Sequence, residues 1–342
     1  MSIQKLADSA HIYALPLKDE FRGTQTRVGV LFEGPSGWAE FAPFPEYSDE
    51  VAGLWLAGAL EQAFGSWPLP VRESVPVNAI IPLVGADRTG ELVQQAVQVH
   101  GMDTIKMKVA DGNSDVAADL VRIQIARLTM GALGVQGKIR IDVNGAWTVD
   151  QAVERLIAFN DAAGGLDYVE QPCATLEELA QLKQRLPEVR VAVDESIRQG
   201  NPVDAAYLAQ VADIAILKSI PLGGVHAAMR TARLIGLPVV VSGSLDTSVG
   251  LASGIALARS LPALHGACGL GTGLLLAQDV TSTPILPHDG VVDTNRVLPD
   301  RLMHIFVSQT VSDDWRSRIV RAWRASGSEI VSAPIREAVE AW

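Results

Sequence analysis

The hydrophobic and polar positions divide the chain into two stretches with different periodicity. In the first 70 residues, β-like runs at 11–15 and 27–32 are followed by a helical pattern over 51–64, with Ser48 as its cap. A turn-forming cluster at 33–37 ends the second β-like run. Two strands followed by a helix that can cover them predict a small α+β unit.

The rhythm changes after a linker that contains Pro68 and Pro70, because short apolar runs then alternate with helical segments eight times. The predicted strands cover 75–81, 104–109, 139–143, 168–170, 191–193, 214–217, 239–241 and a last one near 266–269. The predicted helices between them include 117–128, 149–163, 176–186, 205–211, 225–235 and 249–260. Such alternation requires crossover connections and a parallel sheet. Eight units in about two hundred residues predict a closed β/α barrel rather than an open sheet.

We therefore predict two domains in this chain of 342 residues. Residues 1–72 form an α+β capping domain, and the C-terminal segment from about 290 to 342 completes it by packing back against it. Residues 73–289 form the barrel.

Composition narrows the class of protein. The chain is 48% hydrophobic and 20% charged, which excludes a disordered or fibrous protein. Its formal net charge of −11 argues against a nucleic-acid partner. Two cysteines, Cys173 and Cys268, are too few for a disulfide scaffold and favour a reducing compartment.

No apolar run approaches the roughly 20 residues that a membrane helix needs, and no apolar signal segment follows Met1. We expect a cytoplasmic protein without a membrane partner. The basic and aromatic segment 315–324 has two interpretations. It either packs its tryptophans as a terminal helix with solvated arginines, which we favour, or it touches a membrane surface or an anionic partner.

Charged side chains stand at the carboxyl ends of five consecutive predicted strands, which is where barrel enzymes carry their chemistry. They are Lys106 and Lys108 on strand two, Asp142 with Asn144 on strand three, Glu170 on strand four, Asp194 on strand five and Lys218 on strand six. Because side chains alternate along a strand, the two lysines of strand two face the same way, as do Asp142 and Asn144. We expect this whole set at the mouth of the barrel.

The acids Asp142, Glu170 and Asp194 are 28 and 24 residues apart, which fits one strand–helix–strand step each. Buried carboxylates that converge repel one another unless a cation neutralises them. Oxygen ligands of this kind suit a hard ion. We therefore predict a Mg²⁺ site, with Mn²⁺ as a substitute ion.

Taken together, these motifs resemble those of the enolase superfamily, specifically its muconate-lactonising branch. The matching elements are Lys106-Met107-Lys108, Asp142 with Asn144, Glu170 in Val-Glu-Gln-Pro, Asp194 in Asp-Glu-Ser, and Lys218. The resemblance covers nearly the whole chain and implies a (β/α)7β modified TIM barrel with an N-terminal α+β capping domain. It also implies a substrate carboxylate on Mg²⁺, with Lys108 as the base that removes the neighbouring proton. Lys106 would lower the pKa of that base, and Lys218 would stand on the opposite face of the substrate.

Three further stretches resemble the o-succinylbenzoate synthase family within this superfamily, namely 218–224, 242–251 and 40–47. This resemblance implies dehydration of the dicarboxylate 2-succinyl-6-hydroxy-2,4-cyclohexadiene-1-carboxylate to o-succinylbenzoate, a step of menaquinone biosynthesis. Lys108 would take the proton and, once protonated, assist departure of the hydroxyl group on the same face. Lys218 would act as a cation over the ring.

The second carboxylate of such a substrate needs a binding site of its own. Candidate donors are the backbone amides of Ser242, Gly243 and Ser244 after strand seven, together with Gly271 in the glycine-rich run that follows strand eight. Further candidate substrate-binding residues are Asn144 and Arg22, the latter between the first two strands, where this family places a mobile loop.

Two alternatives stay open. An N-acylamino acid racemase or a dipeptide epimerase of the same superfamily would also use two lysines on opposite faces, for 1,1-proton transfer. Gly269-Leu270-Gly271 stands where dipeptide epimerases usually carry Asp-x-Asp, which argues against the epimerase. A barrel that binds without catalysing is more remote, because all three acids and both outer lysines are present.

Overall fold

The structure is a computed structural model, which describes residues 3–110, 115–198, 205–293, 296–302, 305 and 307–342. Its N-terminal part contains an antiparallel sheet whose strands are ordered as in the sequence. The elements of this part are α1 (Ile3–Ser9), β1 (His11–Phe21), β2 (Thr24–Gly34), β3 (Gly37–Phe41) and α2 (Asp49–Phe64). As predicted, Ser48 caps α2, and its side chain accepts a hydrogen bond from the Val51 amide.

Strands and helices then alternate along the chain. The strands are β4 (Val75–Pro76), β5 (Ala79–Ile81), β6 (Thr104–Lys108), β7 (Lys138–Asp142), β8 (Leu166–Glu170), β9 (Val191–Val193), β10 (Ile214–Leu217) and β11 (Val239–Val241). The helices are α3 (Ala86–Gln98), α4 (Val116–Ala132), α5 (Val149–Ala163), α6 (Leu176–Arg185), α7 (Glu195–Arg198), α8 (Ala205–Val211), α9 (Val225–Ile235) and α10 (Ser248–Ser260). Within the described ranges, β5 to β11 form one seven-stranded parallel sheet in sequence order.

Single bridges close this sheet where an eighth strand was predicted at 266–269. Cys268 bridges Val77 and Gly269 bridges Ser242, and both bridges are parallel. The Cys268 carbonyl accepts from the Asn78 amide at 2.9 Å, and the Gly269 amide donates to the Val241 carbonyl at 2.8 Å. The last predicted strand, near 266–269, is therefore reduced to two bridging residues, which suffice to join the sheet edges.

The predicted strand 75–81 is also two elements rather than one. Its first residues, β4, pair with a short antiparallel strand, β12 (Val291–Val292), and only β5 joins the barrel sheet. Pro76 has no amide hydrogen, so it cannot take part fully in a parallel ladder. The sequence pattern also missed α1, β3 and α3. The apolar stripe of α3 is confined to its second half, where Val93 and Ala96 are buried and Leu92 and Val97 are partly buried.

The C-terminal segment packs mainly against α1 and α2 of the N-terminal part. It contains α11 (Gln309–Ala322), a π-helical turn over Trp323–Gly327, α12 (Ser328–Ile330) and α13 (Ala333–Ala341). The Trp315 ring meets the edge of Phe41, and the buried Arg318 donates to the carbonyls of Phe44 and Tyr47, both at 2.9 Å. The favoured interpretation of 315–324 as a packed helix is confirmed for Trp315, whereas Arg318 is buried rather than solvated. The domain boundary at 72 stays a prediction.

No helix in the described part of the chain combines the length and the apolar character needed to cross a membrane.

The interior of the barrel has an apolar layer and, next to it, a polar layer formed by Arg140 and its hydrogen-bond partners. The apolar layer contains Tyr168, Ala192, Ile214, Ile216 and Val240. Arg140 lies beside it, fully buried, with its guanidinium 4.7 Å from the centre of the Tyr168 ring. Its polar partners are the Asp167 carboxylate at 2.9 Å, the Asn78 side chain at 3.0 Å and the Ala267 carbonyl at 2.6 Å. Because Asn78 and Ala267 flank the closing bridges, Arg140 ties β7 to the seam of the barrel.

Replacing Arg140 with alanine should destabilise the protein by about 3–5 kcal/mol, since Asp167 would lose its buried partner. The matched control is Lys138→Ala, because Lys138 lies 3.6 Å from the same carboxylate but its side chain is 55% exposed. We expect the control to cost less than about 1 kcal/mol. Denaturant unfolding measures both variants, and equal losses would contradict the role of Arg140 at the seam.

Candidate active site

The carboxyl ends of β6 to β10 bring the predicted charged residues together. Lys108, Asp142 and Glu170 are directly paired in register across β6, β7 and β8. Asp194 follows β9 immediately, and Lys218 follows β10. Since these strands are parallel neighbours, their last residues reach the same end of the barrel.

Each acid accepts a hydrogen bond from a lysine. Lys106 Nζ donates to Asp142 at 2.9 Å and to Glu170 at 2.8 Å. Lys108 Nζ donates to the same Asp142 oxygen, Oδ2, at 2.6 Å, and Lys218 Nζ donates to Asp194 Oδ2 at 2.6 Å. The three acids are each 1% exposed. The row of acids is therefore buried, with Lys108 at one end and Lys218 at the other.

Asn144 contacts the base predicted from the resemblance. Its side-chain oxygen accepts from Lys108 Nζ at 2.6 Å, and its amide nitrogen donates to Glu195 at 3.1 Å. The Phe21 ring lies on another side of Lys108, with its centre 5.6 Å from Nζ. These contacts hold the Lys108 amine in place and shield it from water.

The two lysine amines of β6 have pKa values shifted in opposite directions, because their surroundings differ. Burial lowers the pKa of Lys108, and the neighbouring Lys106 lowers it further, although Asp142 opposes both effects. Burial acts on Lys106 in the same direction, but Asp142 and Glu170 outweigh it and hold the Lys106 pKa well above its ordinary value. Lys108 is thus the amine that more readily loses its proton.

The acids are in unequal environments. Burial would raise the pKa of Asp142, but Lys106 and Lys108 hold it well below its ordinary range. Lys218 and Arg198 do the same for Asp194 against its burial. Burial first, and then repulsion by Asp142 and Asp194, raises the pKa of Glu170 to about 7. Its Oε1 atom is buried and has no hydrogen-bond partner among the described residues.

These observations test whether the acids fit a metal ion. No three His, Cys, Asp or Glu side chains of the described part already surround a point that a metal could occupy, because the carboxylates are turned to lysines. The orphaned oxygen of Glu170 and its repulsion by both aspartates nevertheless make a divalent cation a suitable partner. The chemistry of the three acids therefore suits a hard cation, whereas their orientation in this structure serves the lysines.

A cleft of about 520 Å³ opens above Lys108 and Asn144. Phe21, Arg22 and Glu46 of the N-terminal part also line this cleft. The guanidinium group of Arg22 stacks on Phe44, with 4.3 Å between its carbon and the ring centre. A narrower cavity shares Phe21, Arg22, Lys108 and Asn144 with this cleft and reaches Lys218 and residues 242–245. Arg22 and Asn144 thus line the space next to the proposed base.

The amides proposed for a carboxylate cradle are already engaged. The amide of Ser242 donates to the Leu217 carbonyl at 2.9 Å, that of Gly243 to the Gly269 carbonyl at 2.9 Å, and that of Ser244 to Asp246 at 2.7 Å. These residues line the narrower cavity, but their backbone donors do not point free into it. Gly271 is not among the cavity residues, and a side chain there would meet the Asn78 carbonyl at 2.9 Å.

Two further residues belong to this site and were not predicted from the sequence. Thr272 lines the narrower cavity, and its buried hydroxyl has no hydrogen-bond partner in the described part of the chain. Arg198 is 8% exposed and donates to Asp194 at 2.9 Å, to Glu195 at 2.6 Å and to the Tyr47 hydroxyl at 2.7 Å. The spacing of four between Asp194 and Arg198 is a signal that could have identified the arginine.

Comparison with known proteins defines the class. A family profile described as "Enolase C-terminal domain-like" matches residues 88–300, and one described as "Enolase N-terminal domain-like" matches 12–63. The muconate lactonizing enzyme from Pseudomonas fluorescens, solved in complex with muconolactone, aligns with a TM-score of 0.70 and 18% identity over 90% of this chain and 97% of that one. The L-Ala-D/L-Glu epimerase from Bacillus subtilis, solved in a substrate-liganded complex, aligns with a TM-score of 0.69 and 22% identity over 83% and 94%. These identities show the fold alone.

The chain is therefore a member of the enolase superfamily, with the predicted modified TIM barrel and N-terminal capping unit. It is 44% identical over 324 residues to the o-succinylbenzoate synthase of Thermobifida fusca, which covers 94% of this chain and 98% of the relative. Within the superfamily it belongs to the o-succinylbenzoate synthase family of lyases.

In a metal-chelating buffer, Glu170 should make the protein less stable as the pH rises. Its pKa lies at about 7 in the folded chain, above its ordinary value of 4.5, so the folded state holds the proton more tightly. This contribution to stability is complete below the ordinary value and is lost as the pH rises through the folded value. Glu170→Gln should therefore gain stability relative to the wild type between about pH 5 and 8. Denaturant unfolding across that range measures the difference, and a pH-independent difference would contradict this account.

Proposed function

We propose that the protein dehydrates 2-succinyl-6-hydroxy-2,4-cyclohexadiene-1-carboxylate to o-succinylbenzoate, as a step of menaquinone biosynthesis. The observation that carries this proposal is the arrangement of Lys108 and Lys218 at opposite ends of the buried acids. The identity of 44% to a relative named for this product supports the choice of reaction.

Asp142, Glu170 and Asp194 are the proposed ligands of a Mg²⁺ ion. When bound, such an ion would stabilise the negative charge that develops on the substrate carboxylate as the neighbouring proton leaves. The orphaned Oε1 atom and the raised pKa of Glu170 support this assignment.

Lys108 is the proposed base. Its lowered pKa favours the neutral amine, which takes the proton from the ring carbon next to the carboxylate. The protonated amine then returns that proton to the departing hydroxyl group on the same face, so that water leaves and the ring becomes aromatic. Asn144 holds the Lys108 amine between these steps.

Lys218 acts from the other side. Its ammonium group, held by Asp194 at 2.6 Å, provides positive charge near the face of the ring that Lys108 does not contact. Because this role is electrostatic, it requires the proton to stay on Lys218 throughout the dehydration.

Proton transfer without dehydration is the second candidate function. Two lysines at opposite ends of the acids would also support racemisation of an N-acylamino acid, in which one amine removes the α-proton and the other returns a proton. The likeness to the Bacillus subtilis epimerase concerns the fold and does not favour this reaction over the dehydration.

We expect the purified protein with Mg²⁺ to convert the cyclohexadiene substrate, with aromatisation followed by absorbance. Lys108→Ala and Lys218→Ala should each lower kcat by at least about 10³-fold, because each removes a group needed in the chemical step. Lys138→Ala, an exposed lysine on the neighbouring strand, serves as the control and should retain full activity. Turnover that survives in both site variants would exclude the proposed lysine roles.

If the wild type does not turn over this substrate, incorporation of deuterium into N-succinylamino acids in D₂O tests the racemase. Incorporation by the wild type that Lys108→Ala or Lys218→Ala abolishes would transfer the function to that reaction.

Removal of the metal gives a test that does not depend on turnover. Excess Mg²⁺ at about 100 times its Kd should stabilise the wild type by about 2.7 kcal/mol against unfolding. Glu170→Gln should lose most of this effect, whereas Glu91→Gln, an exposed acid on α3, should keep it. Equal stabilisation of all three proteins would exclude Glu170 as a ligand.

A further inference from the structure

Helices α9 and α10 begin directly behind the pocket. The loop that leads into α9 starts with Lys218, and the loop that leads into α10 contains the cavity residues 242–245. In the described chain, neither helix receives a capping hydrogen bond from its own N-cap side chain, at Gly224 or Thr247. The first amides of a helix need acceptors, so these two helices depend on groups from elsewhere.

Glu40 of β3 supplies the acceptor for α10. Its Oε2 atom accepts from the amides of Thr247 at 2.9 Å and Gly250 at 3.0 Å, and also from the Thr247 hydroxyl. Its Oε1 atom accepts from the Tyr13 hydroxyl at 2.6 Å. Asp279 accepts from the Ser248 amide that lies between them. Glu40 is 2% exposed and thus links the N-terminal sheet to the start of a barrel helix.

Glu61 of α2 does the same for α9. Its carboxylate accepts from the amides of Val225 and His226, the second at 3.2 Å, and lies 2.7 Å from the His226 ring nitrogen Nδ1. Glu61 is 6% exposed and comes, like Glu40, from the N-terminal unit.

Glycines make room for both carboxylates. A β-carbon at Gly250 would lie 2.6 Å from Glu40 Oε2, and one at Gly224 would overlap the carboxylate of Glu61. Each carboxylate can therefore reach the amides of its helix only because a glycine stands at the point of closest approach.

Other contacts tie the same loops to the N-terminal unit. Arg27 of β2 donates to the carbonyls of Leu245 at 3.0 Å and Ser244 at 3.3 Å. Leu245 has a φ of 63°, a left-handed conformation that costs free energy for a leucine. Its side chain and that of Ile220 belong to the apolar cluster of the N-terminal unit. The loop thus keeps a strained shape because that unit holds it.

We propose that Glu40 and Glu61 are positioning residues that cap α10 and α9 from the N-terminal unit. Glu40 fixes the pocket wall at 242–245, and Glu61 fixes the loop that carries Lys218. The catalytic part of this inference rests on the proposed dehydration. The two caps act on different loops, so they have different kinetic consequences.

Glu40→Gln should raise the KM for the cyclohexadiene substrate by roughly tenfold and leave kcat within about threefold, because the wall at 242–245 lines the cavity proposed for the substrate but holds no proposed base. Glu61→Gln should lower kcat by roughly tenfold with a smaller change in KM, because it loosens the loop that begins at Lys218. Gly250→Ala should reproduce the effect of Glu40→Gln, since it displaces the Glu40 carboxylate.

Two controls separate positioning from stability. Glu33→Gln makes the same change at an exposed glutamate of β2, and Gly131→Ala adds a methyl group where nothing lies within 4 Å. Both should match the wild type in KM and kcat. Burial and Asp246 raise the pKa of Glu40 to about 8, so Glu40 is mostly uncharged near neutral pH and the glutamine changes the charge of the site little. The melting temperature of Glu40→Gln should therefore change little while its KM rises.

Hydrogen exchange tests the caps independently of the reaction. The amides of 242–251 should exchange at least about threefold faster in Glu40→Gln, and those of 218–227 in Glu61→Gln, while 139–144 stays unchanged in both. Unchanged exchange in the two helix starts would overturn the proposal. It would also be overturned if Glu40→Gln and Glu61→Gln changed KM by the same factor and kcat by the same factor. A wild type that shows no turnover overturns the proposed function instead, and the exchange result then still decides the capping roles.

Discussion

Three carboxylates buried on neighbouring strands repel one another, and the rim of this barrel is built around that repulsion. Asp142 and Asp194 each have two cationic neighbours, Lys106 with Lys108 and Lys218 with Arg198, and both keep a depressed pKa. Glu170, between them, shares only Lys106 and has an oxygen without a partner among the described residues. Among the described residues, the charge of the middle acid is therefore the least compensated of the three.

Much of this rim could be predicted because it follows from repeat length and strand geometry. A residue that closes one parallel strand lies beside the residue that closes the next, so the spacing of Asp142, Glu170 and Asp194 predicted neighbours. The alternation of side chains likewise put Lys106 and Lys108 on one face, where both contact Asp142. These inferences need only the period of a strand and the order of the elements.

The features of the site that were not predicted depend on contacts between segments far apart in the sequence, and a local sequence pattern does not indicate such contacts. Backbone amides look identical in a sequence whether free or engaged, so the partners of the 242–244 amides could not be foreseen. The same holds for the two-residue closure at Cys268 and Gly269, where the last strand was predicted near 266–269. Gly271 was predicted as a binding residue, but its lack of a side chain serves the close approach of the Asn78 carbonyl. Thr272, beside it, lines the cavity.

The acids and lysines also constrain each other through shared atoms. Asp142 Oδ2 accepts from both Lys106 and Lys108, and Asp194 Oδ2 accepts from Lys218. A carboxylate oxygen that accepts a hydrogen bond from a lysine is less able to bind a cation. Binding of a cation and these lysine contacts must therefore oppose each other, and each weakens the other by the same factor. Under the proposed function, binding of a cation by the acids would therefore release the lysine amines that now donate to them.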